Sequence, residues 1–271
     1  MNKLTPNELA AQVDVAFWKP AATPKEFAAL CASVRAKGVR ALGVNGARVM
    51  LAAAGLEDSP VQLIALVGFP LGTGDTDVKR YEAEVAIDFG AQEIELVLNL
   101  DHLKNGGHKA VLREINDVVE AADERPVCAV LETRALTRAE IVTVSCWLSD
   151  SGIKSVSTGT DFWPDTRVDA DDIKAIRDAL DAKIAIKAVG NIRDVETAQA
   201  LIDAGAARID VVIEGGGRRG IRVSDENGDA WIAGLDLDAC GAPDGTISPW
   251  AAEIVERWRV RGASVLFGPD L

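Results

Sequence analysis

The sequence is poor in the residues from which most metal and redox centres are built. Among 271 residues there are two histidines, His102 and His108, and four cysteines, Cys31, Cys128, Cys146 and Cys240. The cysteines are scattered at no zinc or iron–sulfur spacing, so they read as buried free thiols of a reducing compartment. No apolar run approaches the ~18 residues of a membrane span. The opening residues, MNKLTPNELAAQ, hold no secretory apolar core. The expectation is a cytoplasmic protein with no membrane partner. Positive charge is also in deficit: 29 Lys and Arg stand against 42 Asp and Glu, a net charge of −13. Nucleic acids and anionic membranes both require a basic surface, so neither is an expected partner. A small molecule is.

What the chain has in quantity is apolar residues, 48% of the total, in short segments that alternate with amphipathic helical ones. Eight segments read as strands: Val13–Ala16, Val39–Asn45, Gln62–Gly68, Glu93–Asn99, Val127–Thr133, Ile153–Thr158, Lys183–Val189 and Arg208–Ile213. Helical patterns separate them, at Pro24–Lys37, Asp77–Phe89, His108–Ala122, Arg138–Asp150, Asp169–Leu180 and Val195–Ala204. Thr23-Pro24 has the form of an N-cap and a first-turn proline, and Thr137 opens a capping box. Strict alternation predicts a parallel sheet, and eight strands predict a closed (β/α)8 TIM barrel, an α/β fold of ~250 residues. An open doubly wound sheet is the runner-up, but no G-x-G-x-x-G follows the first strand.

The barrel is assigned to residues 1–213 and a C-terminal extension to residues 214–271. The extension begins with the glycine- and arginine-rich EGGGRRG of Glu214–Gly220. Ser248-Pro249 then starts a helical pattern with Trp250, Ile254 and Trp258 on one face. That helix would dock on the barrel, form the contact of a homodimer, or cover the site.

Side chains alternate along a strand, so parity separates those facing the helices from those facing the barrel interior. In EIELVLN, Ile94, Leu96 and Leu98 face the helices and Glu95 and Asn99 point inward. In KIAIKAV, Lys187 points inward, and in RIDVVI, Asp210 does. With Asp14, Asn45 and Glu132, these form an inward polar set from six strands. Buried charge is costly unless paired, and active sites of this fold lie at the C-terminal strand ends. One lysine among four acids should be an ammonium, because nearby carboxylates favour the charged form. On the sixth strand Ser155 and Ser157 share a face, and Lys154 lies on the other.

The ordered segments VDVAFWKPAAT, ALGVNGARV, LVGFPLGTGDTDVKRYEA, AQEIELVLNLDHLKNG, VLETRALT, KAVGNIRD and AGAARI resemble the deoxyribose-phosphate aldolase family over roughly residues 10–213. The resemblance implies a (β/α)8 class I aldolase that uses no metal or organic cofactor. In that family a strand-six lysine forms an imine, a strand-seven lysine lowers its pKa and a strand-four aspartate relays protons. Lys187 matches the second lysine, Glu95 takes the place of the aspartate, and Asp14 matches an acidic residue of the first strand. The imine lysine falls on Ser157, or on Ser155 in a shifted register. Serine forms no imine.

The resemblance therefore implies an aldolase-like lyase, or a related proton-transfer enzyme, acting on a small carbonyl or hydroxylated compound. Its catalytic residues would be Lys187, Glu95 and Ser157, with Lys187 a carbonyl polariser or a relocated nucleophile. Asp14, Asn45, Asn99, Thr158, Trp163 and Asp210 would bind substrate. Small turns that cradle phosphate in the family are replaced by DVVIEGGG, where Asp210 and Glu214 oppose an anion and Arg218 and Arg219 could compensate. A non-catalytic ligand-binding barrel is the first alternative. Metal-assisted chemistry through Asp14, Glu95, Glu132 and Asp210, with His102 nearby, is the second.

Overall fold

The computed structural model describes residues 5–163, 167–212, 221–225 and 228–232. Eight strands close into an all-parallel barrel in chain order: β1 (Val13–Phe17), β2 (Ala41–Asn45), β3 (Gln62–Val67), β4 (Glu93–Val97), β5 (Val127–Val130), β6 (Ser155–Ser157), β7 (Ala185–Val189) and β8 (Arg208–Val212). The closing pair β8–β1 sets Asp210 level with Asp14.

The connecting helices are α1 (Pro6–Ala10), α2 (Pro24–Lys37), α3 (Val49–Gly55), α4 (Thr76–Asp88), α5 (Leu100–Lys104), α6 (His108–Ala121), α7 (Arg138–Leu148), α8 (Ala170–Ala179) and α9 (Val195–Asp203). Their ends have chemical causes. Thr23 and Thr137 each complete a capping box, with Glu26 and Glu140, so backbone donors at the starts of α2 and α7 find side-chain acceptors. Gly38 ends α2 at φ 63°, a left-handed turn that suits glycine. Three short helices, α1, α3 and α5, lie where the sequence pattern marks no helix. The antiparallel hairpin of β9 (Ile221–Asp225) and β10 (Gly228–Ile232) is likewise absent from that pattern. The expected helix after Ser248 and the loop carrying Arg218 and Arg219 lie outside the described residues.

Parity divides the core in two. Outward residues of every strand, among them Val15, Leu42, Ala65, Ile94, Leu96, Ala129, Val156, Ile186 and Ile209, pack with the helices into one buried layer. Inside the barrel, Ala41, Ile64 and Leu66 form a separate apolar cluster on the β2–β3 side, beneath Trp18 and Phe69. Cys31 and Cys128 are buried, whereas Cys146 is exposed on α7, which corrects the expectation that the thiols are all buried. Burial pushes the Cys31 and Cys128 thiols up to about 12, leaving them unreactive. Among the described residues no helix is long and apolar enough to cross a membrane.

The VGFPLG…VK segment is a structural clamp. Lys79 of α4 is 1% exposed and donates to Gly72 O at 2.6 Å, to Val97 O at 2.8 Å and to the buried carboxylate of Glu114. It ties the loop after β3 to the end of β4. Gly72 is required there: its φ is 67°, and a Cβ would lie 2.3 Å from Leu98 O.

Candidate active site

The charged side of the barrel interior is built by β1, β4, β7 and β8. Lys187, at the middle of β7, is 1% exposed. Its Nζ donates to Glu95 Oε2, to Asp210 Oδ2 at 2.8 Å, and lies 3.8 Å from Asp14 Oδ2. Next to this cluster a second tier is formed by Arg208 and Arg40. Arg208 meets Glu93 at 2.8 Å and Asp14 at 3.6 Å and donates to Ser155 Oγ. Arg40 donates to Asp14 Oδ2 at 2.8 Å and to Glu93 Oε2 at 3.2 Å. The connected network thus sets four carboxylates, Asp14, Glu93, Glu95 and Asp210, against three cations, Arg40, Lys187 and Arg208.

With one carboxylate in surplus, the network is most economically neutral when one acid keeps its proton. The individual groups follow. Burial pushes Glu95 up to about 7; Lys187 opposes that rise and Asp210 reinforces it. Burial also raises Asp210, against the pull of Lys187. For Asp14, burial is outweighed by the Arg40 hydrogen bond and by Lys187 and Arg208, so its carboxyl sits below the usual range. Burial alone would lower Lys187, but Asp210, Glu95 and Asp14 carry it well above the usual lysine value. The site therefore holds a fixed ammonium beside a carboxyl that titrates near neutrality. A lysine so held is a hydrogen-bond donor and charge partner; an imine nucleophile needs the free amine.

Ser157 is the register partner of Lys187 across β6–β7, and its hydroxyl donates to Gly159 O at 3.1 Å. Ser155, two residues earlier, belongs to the Arg208 tier. Of the inward polar set read from the sequence, Asp14, Glu95, Lys187 and Asp210 converge. The others do not. Asn99 sits just past β4 and turns to cap α5, accepting from Asp101 N at 2.9 Å. Asn45 ends β2 half-buried, at the start of a short 3-10 turn. Glu132 lies beyond the end of β5 at φ 53° and clasps the loop after β6, accepting from Thr160 N at 2.5 Å. It is apart from the other three acids considered for a cation. Among the described residues no group of three or more His, Cys, Asp or Glu is arranged to hold a metal ion. Thr158, one residue past the inward Ser157, points the other way. Its hydroxyl donates to Val189 O at 3.0 Å and accepts from Val189 N at 2.9 Å, joining β6 to β7 rather than facing the interior. Trp163 lies at the mouth, 37% exposed, with Arg134 5.5 Å from its ring centroid.

Sequence reading missed Arg40 and the aromatics Trp18, Phe69 and Phe162. It left out Arg208 and Glu93 as functional groups, although parity with Asp210 and Glu95 places both on the inward face. Arg40 had no such signal: it precedes β2, and only the closed barrel brings it under Asp14.

A closed eight-stranded parallel barrel with alternating helices and a buried charged cluster in its interior is a TIM barrel of the kind seen in aldolases. No family model matches the chain. It is 38% identical over 207 residues to the deoxyribose-phosphate aldolase of Natranaerobius thermophilus, an alignment covering 76% of this chain and 94% of that protein. The solved structure of QR15, an aldolase, superposes with a TM-score of 0.71 at 30% identity, covering 75% of this chain and 90% of that one. The tetrameric deoxyribose phosphate aldolase of Aeropyrum pernix does so with a TM-score of 0.70 at 25% identity, covering 77% and 88%. The chain belongs to the deoxyribose-phosphate aldolase family.

Proposed function

We propose that this chain is an aldolase-like lyase or related enzyme that works by proton transfer, not through an imine on strand six. It would act on a small carbonyl or hydroxylated compound. The observation that carries this reading is the position of Lys187: its Nζ is hydrogen-bonded between Glu95 and Asp210, and its neighbour in register is Ser157. The relatives' chemistry needs a neutral lysine on β6, and serine supplies none. Glu95, pushed up to about 7, is suited to give and take a proton at neutral pH. Lys187 polarises the carbonyl oxygen, and Ser157 hydrogen-bonds the substrate. No cofactor enters the scheme. Cleavage of deoxyribose 5-phosphate itself is not the expected reaction.

Proton exchange tests this directly. In D2O, small hydroxyketones and aldehydes should gain deuterium next to the carbonyl, followed by NMR, and Glu95→Gln should abolish the exchange. Borohydride trapping with intact-mass readout should give no adduct that depends on Lys187. An adduct that vanishes in Lys187→Ala would overturn the proposal and make Lys187 a relocated imine nucleophile.

A non-catalytic ligand-binding barrel is the second reading, supported by the exclusion of Lys187 and Ser157 from solvent at 1% and 0% exposure. It predicts ligand binding with no exchange of deuterium. Self-association through the C-terminal extension belongs to the same proposal; light scattering on the full chain and on a chain ending at residue 232 compares their masses.

A further inference from the structure

Four aromatic rings gather at the mouth of the barrel, on loops that leave the C-terminal strand ends. Trp18 follows β1, Phe69 follows β3, and Phe162 and Trp163 follow β6. Ring centroids are 5.9 Å apart for Trp18 and Phe69, 5.6 Å for Trp18 and Phe162, and 5.7 Å for Phe162 and Trp163. Phe162 and Trp163 remain 39% and 37% exposed, so a contiguous apolar rim faces solvent where a substrate would enter. Under that rim the barrel interior has two unlike walls. The β2–β3 wall is Ala41, Ile64 and Leu66, with Trp18 and Phe69 packed on it. The opposite wall is the Lys187 cluster.

Buried polar atoms without a hydrogen-bond partner among the described residues include Trp18 Nε1, a donor, and Asp210 Oδ1, an acceptor, at these walls, and Arg208 Nε in the second tier. Asp210 as a whole is 5% exposed. A buried polar atom left unpaired is costly, so each invites a ligand group. A phosphate suits neither wall, and the segment after β8, where the resemblance places the phosphate turn, lies outside the described residues. Lys187 is already engaged by two carboxylates, and Asp210 would oppose a second anion. A flat apolar body with a small head able to donate and accept suits both.

Resting on the reading of this mouth as the active site, we propose that the barrel takes a neutral substrate with an aromatic body and a hydroxyl or carbonyl head, in place of a phosphorylated sugar. The body lies against Trp18, Phe69 and the rim; the head reaches Asp210 Oδ1 and the Trp18 N–H.

The test is equilibrium binding to the full chain by calorimetry and saturation-transfer NMR. The probes are 4-hydroxy-4-phenylbutan-2-one, butylbenzene, 2-deoxyribose 5-phosphate and inorganic phosphate. The aryl hydroxyketone should bind at least about tenfold more tightly than the sugar phosphate. Trp18→Phe keeps a ring and removes the N–H. It should weaken the hydroxyketone about fivefold more than it weakens butylbenzene, the worth of one hydrogen bond. Should that variant not fold, Trp163→Ala, at an exposed position, should weaken both aryl probes. Sugar phosphate binding as tightly as the hydroxyketone, or no aryl binding at all, overturns the proposal. Binding needs no turnover, which separates the two conclusions. Aryl binding without deuterium exchange overturns only the enzymatic reading; exchange on a sugar phosphate without aryl binding overturns only the substrate class.

Discussion

Glutamine in place of Glu95 gives the sharpest test of the interior electrostatics. Glu95 is buried, and its carboxyl is pushed from 4.5 up to about 7. A raised folded pKa means the fold binds this proton more tightly than the unfolded chain does. The contribution to stability is therefore complete below about pH 4.5 and is lost as pH rises through about 7. Integrated from pH 5 to pH 8, one such group costs the wild type roughly 2–3 kcal/mol. Glu95→Gln has nearly the shape of the protonated acid and does not titrate. The two proteins should be about equally stable at pH 5, and the variant should lead by roughly 2–3 kcal/mol at pH 8. Urea unfolding of both proteins at half-unit pH steps measures this, because groups common to both cancel in the difference. A difference curve flat to within about 0.5 kcal/mol would mean that Glu95 is ionised throughout, and the acid/base role proposed for it would fall with it.

Other predictions concern the clamp and the strand ends. Lys79→Met leaves the Glu114 carboxylate buried without its ammonium and should cost about 3–5 kcal/mol, lowering Tm by about 10 °C in calorimetry. A loss under about 1 kcal/mol would mean the pair is not the tie between the β3 loop and β4. Gly72→Ala puts a Cβ against Leu98 O in a left-handed conformation and should cost at least about 2 kcal/mol by the same measurement. Thr158→Val strands the Val189 N–H and should cost about 1–3 kcal/mol while leaving ligand affinity unchanged. Weaker binding at unchanged stability would instead place the Thr158 hydroxyl on the substrate, as the sequence suggests.

The barrel was legible because its signals are local and repeated. Alternation within EIELVLN and RIDVVI sorts Ile94, Leu96 and Ile209 from Glu95 and Asp210 without any knowledge of partners. The convergence of Asp14, Glu95, Lys187 and Asp210 follows from the same parity once the sheet is closed. Parity fails at strand ends, where the backbone leaves the pleat: Asn99 and Glu132 each satisfy a nearby backbone group instead of joining the cluster, whereas Thr158 lies where parity puts it, on the face opposite Ser157. Arg40 and Lys79 were illegible for a different reason. Both reach carboxylates far away in sequence, Arg40 to Glu93 and Lys79 to Glu114, and only the assembled barrel makes those pairs.

The serine at position 157 and the raised pKa of Glu95 are two sides of one charge balance. Four carboxylates face three cations in this interior, and burial, reinforced by Asp210 and Asp14 and opposed by Lys187, raises the Glu95 carboxyl to about 7. A lysine at position 157, level with Lys187, would make the balance four against four and oppose that rise. With that lysine protonated, the carboxylates would be ionised partners of its ammonium and that of Lys187. With serine there, the same scaffold keeps the Glu95 carboxyl raised to about 7, where it can exchange a proton near neutral pH. Ser157→Lys should therefore reverse the effect. Its ammonium should pull the Glu95 carboxyl back toward the ordinary range. The pH-dependent stability gap that Glu95→Gln opens should then shrink by more than half in that background. The urea titrations above, repeated on Ser157→Lys with and without Glu95→Gln, read this out. A gap that stays at roughly 2–3 kcal/mol between pH 5 and pH 8 would show that burial alone sets the Glu95 pKa and that the missing lysine has no part in it.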